Sequence, residues 1–126
     1  MDPKVVLVVE DEPDMRFLLR LMLEHGDYAV EEAVTGEQAI GIVQRGAVDL
    51  MVLDMHLPGM NGLAVLQALQ QKGLTQIPVL MVTADVDSTL AHQAAAAGAH
   101  GFISKTELGD ALLDRVNEIL IGNGAA

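Results

Sequence analysis

The chain has 126 residues, 7 basic against 18 acidic side chains, a formal net charge of −11, 51% apolar residues and neither Cys nor Trp. That length fits one domain, residues 1–126, with a real core, and the charge excludes the clustered Lys/Arg surface that nucleic acid requires. The absence of cysteine excludes a disulfide framework and a Cys-based zinc site, and no apolar stretch approaches the ~20 residues of a membrane helix.

Residues 4–9 (KVVLVV) are a nearly continuous β-branched run, as in a strand buried on both faces. The run is too short for a signal-peptide core and leads straight into acids, so a cytoplasmic location is expected. Pro13 suits the first turn of a helix, where its missing N–H costs nothing. Met15, Leu18, Leu19 and Met22 follow at i, i+3, i+4 and i+7, which predicts one inward face. Residues 28–33 set Tyr28 and Val30 against Ala29 and Glu31, the alternation of a half-exposed strand. Thr35 with Gln38 makes a capping box for a helix that turns Ala39, Ile40 and Val43 inward.

Residues 50–53 are again solidly apolar and end at Asp54. Residues 55–62 (MHLPGMNG) hold a Pro-Gly and an Asn-Gly dipeptide and form a loop, after which Val65, Leu66 and Leu69 mark a third helix. Pro78 opens the apolar run 79–82, which ends at Thr83. Asp87 or Ser88 can cap a helix through the alanine tract 94–97. Residues 101–104 are a brief strand ending at Lys105, and the last helix aligns Leu108, Leu112, Val116 and Ile119. Gly26, Gly46, Gly73 and Gly98 each stand where a helix should close in the left-handed conformation. The ordered core is expected over about residues 4–121, with a flexible tail of small residues after it.

Strict strand–helix alternation implies right-handed crossovers and a parallel sheet covered on both faces. The first, third and fourth strands are apolar throughout and belong in the centre, whereas the alternating second and the short fifth fit the edges. The predicted fold is therefore α/β, a flavodoxin-like doubly wound (βα)5 with a five-stranded parallel sheet of order 2-1-3-4-5.

The chemistry is read at the C-terminal strand ends, which share one edge of such a sheet and form the crevice where its ligands bind. Glu10 and Asp11 follow the first strand, Asp54 ends the third, Thr83 ends the fourth and Lys105 follows the fifth. Each alone has an ordinary explanation. Acids in the first turn suit the helix dipole, Asp54 could cap a loop, and Lys105 could be a solvated charge. Together they are not ordinary, because converging carboxylates repel and raise one another's pKa. A divalent cation and the nearby lysine would relieve that cost, and Mg²⁺ (or Mn²⁺) is the fitting guest for a site with few carboxylates.

The segments Val8-Val9-Glu10-Asp11-Glu12-Pro13, Val52-Leu53-Asp54-Met55-His56-Leu57-Pro58-Gly59-Met60-Asn61-Gly62, Val82-Thr83-Ala84 and Gly101-Phe102-Ile103-Ser104-Lys105 resemble the receiver domain of bacterial response regulators. The resemblance covers essentially the whole chain, in order and spacing. It implies that Asp54 is a phosphoacceptor charged by a histidine kinase or histidine phosphotransferase. It further implies that Asp11, Asp54 and the backbone carbonyl of His56 bind the cation directly and that Glu10 acts mostly through a metal-bound water. Lys105 and Thr83 would pair with phosphoryl oxygens, and Phe102 would fill an aromatic switch position. His56 and Asp85, two residues past Asp54 and Thr83, would tune the lifetime of the phosphoryl group. Such a domain is a signalling phosphoacceptor rather than an enzyme acting on other substrates. Its partner would be a downstream protein or an output domain, and it would be a monomer or a phosphorylation-dependent dimer.

The chain departs from the family's common pattern at Glu10, where Asp is more usual, and at Thr106, where Lys105 is more often followed by Pro. A trans or rearranged loop is expected there, since cis is a proline phenomenon. Two other functions compete. An aspartyl-phosphate hydrolase of the haloacid-dehalogenase type would carry a second Asp two residues after the nucleophile, and here that position is His56. A constitutive binding module would use the fold without phosphorylation, and retention of every titratable site residue argues against it. No G-x-x-x-x-G-K-[ST] loop supports an NTPase, and no Ser/Thr-rich loop supports a flavin cradle. His25, His92 and His100 have no metal-ligand spacing.

Overall fold

Five strands pair in parallel in the order second, first, third, fourth, fifth along the chain, as burial patterning predicts. A computed structural model describes residues 2–84 and 87–124. The elements run β1 (Val5–Val9), α1 (Pro13–His25), β2 (Ala29–Ala33), α2 (Gly36–Gln44), β3 (Leu50–Asp54), α3 (Gly62–Gln71), β4 (Val79–Thr83), α4 (Ser88–Ala96), β5 (Gly101–Ser104), a 3-10 turn (Lys105–Glu107) and α5 (Leu108–Gly124).

Successive strand side chains point to opposite faces, so each central strand supplies two cores. Val6, Val8, Leu50, Val52, Leu80, Val82 and Ile103 meet Leu19 and Leu23 of α1 and Leu108, Leu112 and Val116 of α5. Leu7, Val9, Met51, Leu53, Val79 and Met81 meet Ala39, Ile40 and Val43 of α2, Val65, Leu66 and Leu69 of α3, and Ala94 of α4. Both faces are covered because every residue of β3 and β4 is buried. Two caps act as the sequence implies, Thr35 accepting from Gln38 N–H and Asp87 from Thr89 N–H. Asn61 of the Asn-Gly turn adds a third, accepting from Ala64 N–H at the start of α3.

Three expectations are corrected. Leu18 is 43% exposed, and the buried residues of α1 are Leu19 and Leu23, with Met15 and Met22 partly covered. The helix is apolar over more of its circumference than the sheet can cover, which leaves Phe17, Leu18 and Leu21 facing out. Gly26 has φ −86°, and the left-handed residue is Asp27 at φ 69°. Leu113 of α5 packs closely over this position, its Cδ2 2.5 Å from where a Cβ on Gly26 would lie. Finally, α5 continues through Gly122 to Gly124, because one glycine costs a helix only about 1 kcal/mol. The rest of the expected tail, residues 125–126, lies outside the described residues.

Among the described residues no helix is long and apolar enough to cross a membrane.

Candidate functional site

β1 and β3 run side by side, Val9 pairing with Leu53, so the residues that follow them emerge together. Glu10 is only 1% exposed and Asp54 5% exposed, while Asp11, one residue further into the turn, faces solvent. One carboxylate oxygen from each of Glu10, Asp11 and Asp54 lies within 4.8 Å of the others. The expected convergence of acids is therefore present.

Lys105 reaches into the cluster from the far edge strand. Its Nζ donates to Glu10 Oε1 at 2.8 Å and to Asp54 Oδ2 at 3.3 Å. The remaining oxygens are also used: Glu10 Oε2 accepts from Glu12 N–H at 3.1 Å, and Asp54 Oδ1 accepts from His56 N–H at 3.2 Å. Burial pushes the Glu10 carboxyl above the usual carboxylate range, more strongly than its bonds to Lys105 and Glu12 hold it down, and the Asp54 charge adds a smaller upward push. Like-charge repulsion is thus present but secondary to desolvation. Burial pulls the Lys105 ammonium down, yet Glu10 and Asp54 together outweigh it and hold the group above its ordinary value.

The loop after Lys105 takes a rearranged form. Ser104 caps the 3-10 turn with its hydroxyl, accepting from Thr106 N–H at 3.2 Å and sharing a 2.8 Å hydrogen bond with the Thr106 hydroxyl. Among the described residues there is no cis peptide bond. Thr106 thus finds local partners in a turn that still delivers Lys105 to the acids. The sequence reading gave Ser104 no role, although Ser followed two residues later by an open amide is an N-cap signal.

Thr83 ends β4 fully buried, beside Ser104 in the ladder. Phe102 pairs with Met81, two residues before Thr83, so Phe102 and Thr83 stand on the same face of adjacent strands. Phe102 is half-buried against the α2–α3–α4 core. His56 is exposed, with its backbone N–H on Asp54. Asp85 lies outside the described residues.

The loop after Asp54 is drawn tight over the site. Gly62 N–H donates to the Met55 carbonyl at 2.8 Å, and a Cβ on Gly62 would sit 2.9 Å from the Asp54 carbonyl oxygen and 2.9 Å from Met55 Cα. Only glycine lets the start of α3 pass this close to the end of β3. Arg16 of α1 also reaches the site: its Nη1 donates to the carbonyl oxygens of Glu10 at 3.0 Å and Asp11 at 3.4 Å. The sequence reading missed Arg16, because hydrophobic periodicity places helix faces but says nothing of where a long polar side chain ends.

Three hard carboxylate ligands, two of them buried and one open to solvent, are compatible with a divalent cation that retains water. The ammonium of Lys105 compensates part of their charge, so the cluster can exist in a folded protein before a cation enters.

Comparison with known proteins agrees with this geometry. The transcriptional regulatory protein ResD of Bacillus subtilis (strain 168) is 37% identical over 100 residues, which cover 79% of this chain and 41% of that protein. The transcriptional activator protein ExaE of Pseudomonas putida is 36% identical over 120 residues, covering 94% of this chain and 56% of its own length. The chain thus spans about half the length of these curated relatives. Among solved structures, the chemotaxis protein CheY4 of Vibrio cholerae superposes with a TM-score of 0.85 at 27% identity, covering 94% of this chain and 99% of that one. Residues 6–117 match the family described as the response regulator receiver domain. With that match spanning nearly all of the sheet and its helices, the chain belongs to the response regulator receiver domains, the phosphoacceptor modules of two-component signalling.

Proposed function

We propose that residues 1–126 act as one receiver unit in which Asp54 accepts a phosphoryl group from a phosphohistidine of a histidine kinase or histidine phosphotransferase. The reading is carried by one observation: the carboxylates of Glu10, Asp11 and Asp54 converge, and two of them, Glu10 and Asp54, share the ammonium of Lys105, brought from the turn after the edge strand β5. An Asp54 carboxylate oxygen attacks phosphorus, the P–O bond forms as the P–N bond breaks, and the imidazole leaves and regains a proton from water. Asp11 and Asp54, with the backbone carbonyl of His56, would hold Mg²⁺ (or Mn²⁺), and Glu10 would reach it through water. When bound, the cation neutralises charge on the phosphoryl oxygens, which is most of what such a transfer needs from a protein.

Lys105 is already poised between two carboxylates, so it can exchange one of them for a phosphoryl oxygen with little movement. Thr83 would donate its hydroxyl to another. The acyl phosphate adds about −2 of charge, and Thr83 moving toward it would open space beside Phe102, whose half-buried ring can then turn inward. The surface of α4, β5 and α5 is the face this would remodel, a local charge event biasing a two-state element. His56, and Asp85 beyond Thr83, would set how quickly water attacks the phosphorus and releases inorganic phosphate. The module then acts on no substrate but itself. Its readers would be a downstream protein or an output segment, with transcriptional control as one route by analogy with its relatives, and a cytoplasmic location and a monomer or phosphorylation-dependent dimer fit that role.

The test is direct. Incubation with Mg²⁺ and a small acyl phosphate should add the mass of one phosphoryl group to the intact protein, and Asp54→Asn should remove that gain. Wild-type protein that gains no mass, or an Asp54→Asn variant that gains it equally, overturns the assignment.

A further inference from the structure

We propose that Arg16 is a positioning residue for the cation site, acting through the backbone of the β1–α1 turn and braced from behind by Glu32 of the edge strand. The inference deepens the reading above and rests on it for the identity of the ligand.

The geometry is a three-point clamp. Arg16 Nη1 donates to the carbonyl oxygens of Glu10 and Asp11 at 3.0 and 3.4 Å, and its Nε donates to Glu32 Oε1 at 2.9 Å. Glu32 is itself fixed, since its other oxygen accepts from Arg20 Nε at 2.8 Å, and Arg20 also reaches the Val30 carbonyl. Glu10 is anchored on every side, by Lys105, by the Glu12 amide and by its own N–H on the Ala33 carbonyl at 3.1 Å. Asp11 is exposed, and the bond from Arg16 to its carbonyl ties its peptide to the rest of the fold. Holding two successive carbonyls fixes the peptide planes that aim the Glu10 and Asp11 side chains. A planar guanidinium can make that paired contact and still accept a brace, which a lysine ammonium cannot reproduce.

Charge and position predict opposite signs. By Coulomb's law alone a guanidinium beside the cluster repels a cation, so its removal should tighten binding. If instead its work is to preorganise Asp11, its removal should loosen binding, as loss of a partner that orients a ligand does.

The deciding measurement is Mn²⁺ affinity, read from the electron paramagnetic resonance signal of free Mn²⁺, with no phosphodonor present. Arg16→Ala should bind about tenfold more weakly than wild type. Arg16→Lys, which keeps the charge, should not restore wild-type affinity, and Glu32→Gln should shift affinity in the same direction by less. Phosphorylation of Arg16→Ala should then need proportionately more Mg²⁺. Equal or tighter Mn²⁺ binding by Arg16→Ala overturns the proposal, and if that variant does not fold, wild-type affinity in both Arg16→Lys and Glu32→Gln does the same. Wild-type protein that binds Mn²⁺ but takes no phosphoryl group sinks the phosphoacceptor reading alone, and a wild type that does not bind Mn²⁺ sinks both.

Discussion

The two ends of the sheet use the same kinds of side chain for opposite purposes. At the N-terminal edge Asp49 accepts from Val5 N–H at 2.7 Å and His100 Nδ1 accepts from Val79 N–H at 3.2 Å. Tyr28, just before β2, donates its hydroxyl to Asn117 of α5. Each of these polar groups is spent on the backbone or on a neighbouring helix, and the strands they precede are thereby tied in place. At the C-terminal edge Glu10 and Asp54 face each other and a lysine, and neither spends both its oxygens on the backbone. A carboxylate at a strand end is structural when amides hold it and becomes chemical when a second carboxylate and a lysine ammonium share it.

That contrast can be broken from either side. The largest effect belongs to Lys105→Met, which keeps the length of the side chain and removes its charge. The rate of phosphoryl uptake from a small acyl phosphate should fall by about 10²-fold, followed by intact mass over time, and a rate within a few-fold of wild type would show that Lys105 merely balances charge. Asp49→Ala should do the reverse. It should cost about 1–2 kcal/mol of stability in urea unfolding by stranding the Val5 amide, while the rate of phosphoryl uptake stays at the wild-type value.

The smallest effect is at Tyr28, the one tyrosine of a chain without tryptophan, whose phenolate absorbance can be followed alone. Burial holds its hydroxyl above the ordinary value of 10.0. The neutral form is therefore the favoured one in the folded state. Its contribution to stability is complete below pH 10.0 and is lost as pH rises through the raised folded value. A titration in native buffer should lie to the alkaline side of one in denaturant, and superimposable curves would contradict the burial.

Much of this is legible in the sequence. Apolar runs that stop abruptly at Glu10, Asp54 and Thr83 give both the centre of the sheet and its reactive edge, because a polar side chain at the end of a buried strand requires a partner there. The alternation in residues 28–33 places β2 at an edge, and Lys105 is legible as the residue after the last short strand. What could not be read depends on three-dimensional approach. Gly26 ends its helix as the sequence suggests, yet the left-handed turn falls on Asp27 one residue later. Leu18 obeys the helical spacing but sits just past the strip that the sheet can cover. Arg16 gives no periodic signal, since its function lies at the end of a flexible side chain that meets carbonyls five and six residues earlier in the sequence.

The open margin of β2 shows what the bracing of Glu32 does beyond the site. An unpaired strand margin invites another copy to add its own strand, and proteins blunt that hazard with charge. Here Glu31 and Glu32 lie adjacent and exposed on that margin, with Arg16 and Arg20 arrayed beside Glu32. A second chain approaching in register would set carboxylate against carboxylate. The side chain that steadies the turn beneath Asp11 thus also stands on a charged margin, of the kind that discourages the pairing of a sixth strand.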